Sequence, residues 1–460
     1  MSSESMPPIN IAMVGDFFHP NVGGVENHIY MLGAQLLARG HKVIVITHSH
    51  RSRSGAGGDG DRVGIRWLLP GLKVYHIPFP PIANSATLPN FFTFLPYFRT
   101  IVLREHIQLV HAHASLSSLG HEALLHAHLL GVRTVFSDHS LFGFEDAASI
   151  LTNKLLVGTL KNVDAVICVS HTGRENTVLR GQLFEPREDD PTALTVRNDV
   201  YVIPNALVAD HFVPDPPTST DISGTGPKLI DLLQMREKHR LQDRIELLGP
   251  VAHGDVLSHL RRGHIFLNTS LTEAFGIAIL EAACAGLYVV STRVGGVPEI
   301  LPEDMICFAE PEEDDVVRAI ARAVRHIQAG AHDPLRAHAR VRTFYDWAAV
   351  TGRTEHVYRA VMAAPGRDLM ERMRRNLSLG PWFGMIQVII LVVDCLFFLV
   401  LEWLIPREDI DYVTCTWDAR KAREALREAE GEAQEGRGGE AKGGQVEDGE
   451  RTEEGGDKET

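Results

Sequence analysis

Residues 9–38 read INIAMVGDFFHPNVGGVENHIYMLGAQLLA, and this stretch decides the fold. The apolar run over residues 9–17 predicts a buried strand, and apolar positions over residues 25–38 recur at helical spacing. Gly23 and Gly24 stand between them. Because glycine lets backbone amides approach an anion and a helix N-terminus carries partial positive charge, this turn is a candidate phosphate site. Paired glycines before a helix are as often simple turn chemistry, so the turn alone decides no function.

The same alternation of short apolar strands and amphipathic helices continues along the chain. Further strands are predicted over residues 42–47, 109–112, 134–137, 165–170 and 201–203, with helices such as 118–130 between them. A second series predicts strands over residues 245–248, 264–268, 288–292 and 305–308, with helices near 228–239, 255–261 and 277–285. Such alternation indicates doubly wound parallel sheets. The predicted fold class is α/β, with two Rossmann-like domains facing across a cleft.

The second series begins abruptly. A linker rich in proline and aspartate runs over residues 204–217, and only residues 221–228 separate it from the next predicted helix. A complete Rossmann-like unit opens with a strand, a helix and a second strand. We therefore expect the second domain to be truncated at its start, without its first strand-helix-strand.

Length and composition bound the remaining possibilities. The chain has 460 residues, 44% of them hydrophobic, and a formal net charge of -14. That length suggests two globular domains plus extensions. The residues after Trp417 form a Gly/Glu/Lys/Arg-rich tail with almost no large apolar side chains, which predicts disorder. Five cysteines lack any zinc-ligand or disulfide-framework spacing and are interpreted as reduced: Cys168, Cys284, Cys307, Cys395 and Cys415.

An apolar run over residues 385–405 is long enough to span a bilayer as a helix. Its only polar interruptions are Gln387, Asp394 and Glu402, and we expect no polar stripe of the kind that a buried amphipathic helix shows. Asp394 suggests a helix contact with another membrane protein of a complex, and a snorkelling or water-exposed carboxylate is the alternative. The sequence therefore predicts one transmembrane helix.

Charges on the two sides of this run predict its orientation. Arginines precede it at residues 372, 374 and 375, and acidic residues follow it at 408, 409 and 411. Positive flanks face the cytoplasm. The N-terminus is polar as far as Ile9 and has no secretory signal pattern. We expect cytosolic globular domains, a single crossing and a luminal tail.

A pair of carboxylates eight positions apart brackets the start of a predicted helix, in the sequence Glu273-Ala-Phe-Gly-Ile-Ala-Ile-Leu-Glu281. Glu273 can accept a hydrogen bond from a sugar and Glu281 from a ribose, with the helix N-terminal amides at a diphosphate between them. A capped amphipathic helix with two exposed glutamates is the alternative. Spacing alone favours that alternative.

The wider context reverses this preference. The Glu-x7-Glu element followed by GGVPE at 295–299 resembles retaining glycosyltransferases of the B-type fold, which use nucleotide sugars. More narrowly, six segments resemble the catalytic subunits of phosphatidylinositol N-acetylglucosaminyltransferase, the first enzyme of glycosylphosphatidylinositol-anchor synthesis. They are GVENH (24–28), DHSLFGF (138–144), LTNK (151–154), VIPNA (202–206), SLTEAF (270–275) and STRVGGVPE (291–299). The resemblance covers most of residues 9–406.

This resemblance implies UDP-N-acetylglucosamine as donor, phosphatidylinositol as acceptor, and other membrane subunits of a transferase complex as partners at the endoplasmic reticulum. It implies no required metal or other cofactor, and no nucleic-acid partner is expected. Carried over by position, the donor-binding residues are Gly23, Gly24, Phe275, Gly276 and Glu281. Catalytic roles fall to His113 and Glu273, and the acceptor-side candidates are Asp138 and His139.

Plain structural roles are the alternatives for three of these residues. A strand-end histidine such as His113 is often only a hydrogen bonder, and Asp138 and His139 can simply pack a cleft wall. Retention without an obvious protein nucleophile favours front-face attack, in which the leaving diphosphate accepts the acceptor's proton. No general base is therefore assigned.

The resemblance also assigns a role to each segment. We expect a disordered N-terminus (1–8), an acceptor domain (9–204), a linker (205–220) and a UDP-sugar domain (221–360). A basic juxtamembrane segment (361–384), the transmembrane helix (385–405) and an acidic low-complexity tail (406–460) follow. Two polar stretches, 52–61 and 185–199, are predicted surface loops.

One departure from the family pattern stands at the start of the second domain. The family carries an Arg and a Lys there, which clamp the diphosphate, and this sequence passes from 215–217 almost directly to 223–228. We expect the chain as written to be inactive or nearly so. A dead membrane scaffold of the same complex and a different lipid-directed glycosyltransferase remain as alternatives.

Overall fold

The computed structural model describes residues 7–21, 23–50, 62–82, 86–143, 147–187, 189–190, 193–215, 222–224, 229–249, 251 and 253–413. The predicted loop at 52–61 lies outside these residues. So do most of the predicted N-terminus and tail, and the last part of the predicted linker.

The N-terminal half alternates strands and helices as predicted. Its first elements are β1 (Asn10–Val14), α1 (Gly24–Ala38), β2 (Lys42–His48), β3 (Gly64–Leu69), β4 (Leu72–Ile77) and α2 (Phe91–Arg104). There follow β5 (Leu109–His113), α3 (Ser118–Ala127), β6 (Arg133–Asp138), α4 (Ala147–Leu160), β7 (Ala165–Cys168) and α5 (His171–Gly181). The half ends with β8 (Phe184–Pro186), β9 (Leu194–Val196) and β10 (Val200–Val202).

Eight of these strands form one sheet in the order β10-β7-β6-β5-β1-β2-β4-β3, parallel except for β3. In the central strand β1, Ile11 and Met13 join one hydrophobic cluster, whereas Ala12 and Val14 join another. Because the two clusters cover opposite faces, the strand is apolar at every position, as parallel strands with helices on both sides are.

Two hairpins were not predicted. The pair β3 and β4 extends the sheet at one edge, and β3 is antiparallel and mostly exposed. The pair β8 and β9 forms a separate antiparallel hairpin, where the sequence suggested only a surface loop at 185–199. Short, exposed strands lack the apolar runs on which the prediction depended.

The C-terminal half carries shorter sheets and more helices. Its elements begin with β11 (Ile222–Gly224), α6 (Leu229–Lys238), β12 (Ile245–Leu247), α7 (Val256–Leu260), β13 (Ile265–Asn268), α8 (Ile277–Cys284), β14 (Tyr288–Thr292) and β15 (Ile306–Ala309). The helices α9 (Glu313–Gln328), α10 (Pro334–Phe344), α11 (Trp347–Ala363), α12 (Leu369–Leu377) and α13 (Phe383–Leu404) follow.

The strands of this half form two separate sheets among the described residues. One is the parallel pair β11-β12, and the other is the parallel sheet β13-β14-β15. A doubly wound sheet has the order 3-2-1-4-5-6. In that order β11 takes the place of strand 2 and β12 that of strand 3. The strands β13, β14 and β15 take the places of strands 4, 5 and 6. The place of the central first strand lies between the two sheets. The second strand, which the sequence predicted to be missing as well, is present as the short strand β11.

Helix α11 returns to the N-terminal half. Trp347, Val350 and Tyr358 are buried in the same cluster as Ile29 and Leu32 of α1. The hydroxyl of Tyr358 lies 2.7 Å from Nδ1 of His111 on β5. The core of the N-terminal half therefore includes residues of the predicted 221–360 domain.

Candidate active site

A cleft of about 530 Å³ lies between α1 of the N-terminal half and α8 of the C-terminal half. Asn27 and Tyr30 of α1 line one wall, Ile277 and Glu281 of α8 line the other, and Trp347 of α11 lines it as well. Ligand sites in proteins commonly measure about 300–1,000 Å³. The cleft therefore has room for a small-molecule ligand held by both halves.

The glycine turn and the N-terminus of α8 meet in this region. A Cβ atom placed on Gly24 would lie 3.7 Å from Cγ2 of Ile277, the first residue of α8. Gly276 precedes that helix with a φ of 76°, a left-handed conformation that favours glycine. Two helix N-termini, of α1 and α8, are thereby brought together. Such ends attract anions through their free amides and their dipoles.

The loop before α8 is held by a second pair of glycines. A Cβ atom on Gly295 would lie 2.1 Å from the carbonyl oxygen of Glu273, and one on Gly296 would lie 2.2 Å from that of Ala274. The amide of Gly296 donates to the Glu273 carbonyl at 2.9 Å, and the Ser170 hydroxyl donates to the Ala274 carbonyl at 2.8 Å. The GGVPE segment thus fixes the backbone from which the Glu273 and Phe275 positions project.

Glu299 joins the two halves close to this loop. Its carboxylate accepts hydrogen bonds from the backbone amides of His171 and Thr172, at 2.6 and 2.8 Å, and from the Thr172 hydroxyl at 2.7 Å. These amides belong to the first turn of α5, where free N–H groups need acceptors. The carboxylate therefore satisfies a helix end of the opposite half.

The two glutamates of the Glu-x7-Glu element have different surroundings. Glu281 lines the cleft, and burial raises its pKa from 4.5 to about 7. Oε1 of Glu273 accepts a long hydrogen bond, 3.4 Å, from the amide of Phe275 in its own loop. A carboxyl with a raised pKa in a cleft is a common feature of ligand-binding and catalytic sites.

Three histidines cluster beneath the glycine turn. Nδ1 of His113, at the end of β5, lies 3.3 Å from Nε2 of His139, and the His28 ring lies 4.7 Å from the His139 ring. Burial lowers the pKa of all three imidazoles, that of His28 to about 4, so they are neutral at pH 7. Within the described part of the chain, Nε2 of His113 and Nδ1 of His28 have no hydrogen-bond partner. Because unpaired buried polar atoms are costly, these nitrogens indicate a ligand position.

The same cluster could hold a metal ion, since its ligand nitrogens lie within 4.8 Å of one another. Neutral imidazole is the form that binds metals. The family resemblance implies no metal here, and a polar ligand group satisfies the two free nitrogens equally well.

Asp138 has a different environment from its neighbour His139. Its Oδ1 accepts from the Ser115 hydroxyl at 2.9 Å, and its Oδ2 accepts from the Thr177 hydroxyl at 2.8 Å and contacts Arg180 Nη1 at 3.3 Å. The carboxylate is almost fully buried. Both oxygens are therefore engaged within the protein, and the geometry leaves His139 as the more accessible member of the pair.

Two residues of the site were missed by sequence reasoning. His28 belongs to the GVENH motif, and its place on the first turns of α1 makes it face β5. Trp347 lies 319 positions further along the chain, yet its ring lies 5.5 Å from that of His28. No local pattern marks Trp347, because α11 reaches the cleft only through tertiary packing.

Two family models match separate parts of the chain. The model for PIGA (GPI anchor biosynthesis) matches residues 57–146, and the model for group 1 glycosyl transferases matches residues 206–327. The phosphatidylinositol N-acetylglucosaminyltransferase gpi3 subunit of Schizosaccharomyces pombe is 44% identical over 87% of this chain and 91% of that protein. The chain belongs to the family of these transferase subunits.

Other family members match to the same degree. The Homo sapiens member is 44% identical over 87% of this chain and 87% of its own length. The Arabidopsis thaliana member is 45% identical over 88% of this chain and 94% of that protein. Membership of the family makes the chain a glycosyltransferase of anchor synthesis.

Solved structures agree on the fold. A sucrose-phosphate synthase from Thermosynechococcus elongatus superposes with a TM-score of 0.61 at 18% identity, over 78% of this chain and all of that structure. The Anabaena protein HepE, in complex with UDP and glucose, gives a TM-score of 0.58 at 15% identity over 76% of this chain and all of that structure. The predicted B-type glycosyltransferase fold is confirmed.

Proposed function

We propose that the active site of this family member transfers N-acetylglucosamine from UDP-N-acetylglucosamine to phosphatidylinositol with retention, the first step of glycosylphosphatidylinositol-anchor synthesis. The observation that carries the proposal is the cleft between α1 and α8, which brings the glycine turn, a second helix N-terminus and Glu281 together. Names of relatives 44–45% identical over most of the chain supply the substrate class.

The donor lies between the two helix N-termini. Gly23, Gly24 and the amides of Phe275 and Gly276 take the diphosphate, because free amides and aligned dipoles stabilise negative charge. Glu281 accepts from the ribose hydroxyls, and Glu273 accepts from the sugar. No protein nucleophile is required when the leaving diphosphate removes the acceptor's proton.

The transferred sugar lies against the histidine cluster. The free Nε2 of His113 provides a hydrogen-bonding position, and His139 faces the acceptor side. Asp138, whose oxygens are already engaged, fixes the wall that carries His139. Because all three imidazoles are held neutral, they bind hydroxyl groups and do not supply charge.

The chain acts at the endoplasmic reticulum membrane with its globular part in the cytosol, in a complex with other membrane subunits. Two observations support this location. The names of the relatives call them subunits. Helix α13 is long enough and apolar enough to cross a membrane by its length and composition.

This chain performs the transfer poorly or not at all. The sheet of the C-terminal half is divided where the first strand belongs, and Leu267 on the open side of β13 is 42% exposed. The alignment to the fission-yeast relative spans 436 positions but takes in 87% of 460 residues, so that relative has positions which this chain lacks. The family's clamping Arg and Lys belong to the segment that is missing.

Restoring the segment tests both parts of the proposal. Membranes containing either this chain or a form with the first strand and helix of the fission-yeast relative's second domain inserted after Pro217 are incubated with labelled UDP-N-acetylglucosamine and phosphatidylinositol. We expect labelled lipid from the restored form and at least a hundredfold less from the chain as it stands, since one preorganised donor is worth about 2.7–4 kcal/mol of barrier. Equal activity would refute the impairment, and transfer to a different lipid alone would refute the acceptor assignment.

A further inference from the structure

A second group of histidines lies at the edge of the N-terminal sheet. Strand β2 ends at His48, and His50 follows two residues later. The backbones of His50 and Arg62 exchange two hydrogen bonds, of 3.0 and 2.8 Å, in an isolated antiparallel bridge. Directly opposed residues of an antiparallel pair point their side chains to the same face. The ring of His50 lies 4.3 Å from that of His48 and 6.2 Å from that of His76.

Arg62 connects this group with the cleft. It lines the cleft from the N-terminal half, as His19 and Tyr30 do. Among the residues that the structure describes, no carboxylate forms an ion pair with its guanidinium, and burial alone raises the pKa of Glu281 across the cleft. An arginine presents its N–H donors in a fixed plane that matches the oxygens of a phosphate. This guanidinium therefore favours an anionic ligand.

The imidazoles beside Arg62 offer one acceptor and one donor. Nδ1 of His48 donates to the carbonyl oxygen of Ser49 at 2.8 Å, so Nε2 of the neutral ring carries no proton and accepts. Burial and the neighbouring His48, His76 and Arg62 lower the pKa of His50 to about 4, so this ring is neutral at pH 7. No acceptor in the described structure fixes its tautomer, and Nε2–H of His50 is available as a donor.

Both of these Nε2 atoms are buried and have no hydrogen-bond partner in the described ranges of the chain. The His48 side chain has no exposed surface at all. Leaving buried polar atoms unsatisfied is costly, so two of them side by side indicate a polar ligand. The ligand that fits carries an anion for Arg62 and a hydroxyl group for His48.

The place of the group favours the acceptor over the donor. In the proposed function the donor diphosphate lies at the N-termini of α1 and α8, whose amides stabilise its charge. His48 ends β2, and His113, against which the transferred sugar is proposed to lie, ends β5. These strands flank β1 on its two sides, so their ends are two strand spacings, roughly 10 Å, apart. One inositol ring between the sugar and a phosphate bridges such a separation.

We propose that Arg62, His50 and His48 form a head-group site that holds the phosphoinositol part of the lipid acceptor, an assignment that rests on the function proposed above. The guanidinium and Nε2–H of His50 donate to the phosphodiester oxygens. Nε2 of His48 accepts from an inositol hydroxyl next to the phosphate. A neutral sugar would leave the guanidinium without a counter-charge, and a phosphate without a neighbouring hydroxyl would leave Nε2 of His48 unpaired.

Binding of soluble head groups tests the site. Calorimetric titration of the detergent-solubilised full chain with myo-inositol 1-phosphate measures the head-group affinity, and titration of the restored form with UDP measures the donor affinity. Arg62→Gln should weaken inositol 1-phosphate about tenfold or more, because a hydrogen bond between charged groups is lost, and should leave UDP unchanged. Arg187→Gln removes one exposed cation of the same half and is the matched control, with no change expected.

Two results would contradict the site. If the full chain bound no inositol 1-phosphate, or bound it equally well with Arg62→Gln, the head-group site would be refuted. If Arg62→Gln weakened UDP and not inositol 1-phosphate, the guanidinium would belong to the donor diphosphate. Should Arg62→Gln melt below the parent, Arg62→Lys decides, since it keeps the charge and loses the planar geometry. Weaker binding at an unchanged melting temperature supports the site, and unchanged binding refutes it.

Kinetics in the restored form separate this site from the proposed function and a lipid head group from a free inositol phosphate. With phosphatidylinositol in mixed micelles, Arg62→Gln should raise the KM for the lipid about tenfold or more and leave the KM for UDP-N-acetylglucosamine unchanged. An unchanged lipid KM would overturn the head-group site alone. A restored form that transfers to no lipid, yet binds inositol 1-phosphate through Arg62, would refute the proposed function and support a site for free inositol phosphate.

Discussion

The carboxyl group of Glu281 offers a perturbation with opposite effects on stability and on binding. Burial raises its pKa from 4.5 to about 7, which corresponds to about 3 kcal/mol of preference for the neutral form. A raised carboxyl pKa contributes stability that is complete below 4.5 and is lost as the pH rises through 7. The isosteric variant Glu281→Gln has no charge to bury, so it should be more stable than the parent only at higher pH.

The expected gain is up to about 3 kcal/mol at pH 8.5 and close to zero at pH 4.5, where the carboxyl group is neutral in the folded protein. Each kcal/mol shifts the melting temperature by about 2–4 °C for a domain of this size. Thermal unfolding of the detergent-solubilised chain at the two pH values measures the difference. Glu303→Gln, at an exposed glutamate of the same half, is the matched control and should be neutral at both. A gain of equal size at pH 4.5 would contradict the argument.

The same substitution, Glu281→Gln, should weaken binding of the UDP-sugar donor. The ribose of a bound donor loses a charged acceptor, which costs about 1.5–3 kcal/mol, or about 10- to 150-fold in affinity. Calorimetric titration with UDP, in the form with the restored first strand and helix, measures this loss at pH 8.5. Unchanged UDP affinity in Glu281→Gln would remove Glu281 from the donor site.

Three further predictions concern other residues. In the restored form, His113→Ala should lower transfer at least tenfold with little change in melting temperature. His111→Ala should mainly lower the melting temperature, because His111 is hydrogen-bonded to Tyr358 and Ser137. If the two variants had the same melting temperature and the same transfer activity, both assignments would be contradicted. Glu299→Ala removes the acceptor for the first turn of α5 and should cost about 0.5–2 kcal/mol in chemical denaturation, with Glu303→Ala unaffected. The Asn-Leu-Ser sequon at Asn376 should stay bare in cells, because its side chain is buried against Asn162 and we propose that this part of the chain lies in the cytosol; a glycan found there by mass spectrometry would contradict this placement.

The sequence predicts the strands of the two Rossmann-like series closely, since buried parallel strands are continuous apolar runs. Tyr288–Thr292 was predicted to the residue, whereas the exposed strand β3 was missed because Gly64–Leu69 mixes polar and apolar positions without a covered face. The family motifs predict Gly24, Gly276 and Glu281 as donor-binding residues, and this role stays a prediction.

Other features could not be predicted because they depend on long-range packing. The contact of Trp347 with His28 needs α11 to return to the first sheet, and nothing in the local sequence encodes that return. The side of α13 that faces protein was likewise hidden, because Gln387, Asp394 and Glu402 look like scattered interruptions until His126 and Arg99 are seen beside them.

Gly295 and Gly296 lie against the backbone of the loop before α8, and this close contact predicts the effect of mutations at their two codons. Any side chain at either position would collide with a carbonyl oxygen, so every missense change of these two codons displaces the donor loop. Such alleles of a full-length gene should behave as loss-of-function alleles. A saturation screen for surface anchored proteins would then find no tolerated replacement at either codon, whereas the neighbouring exposed codon of Pro298 would accept many.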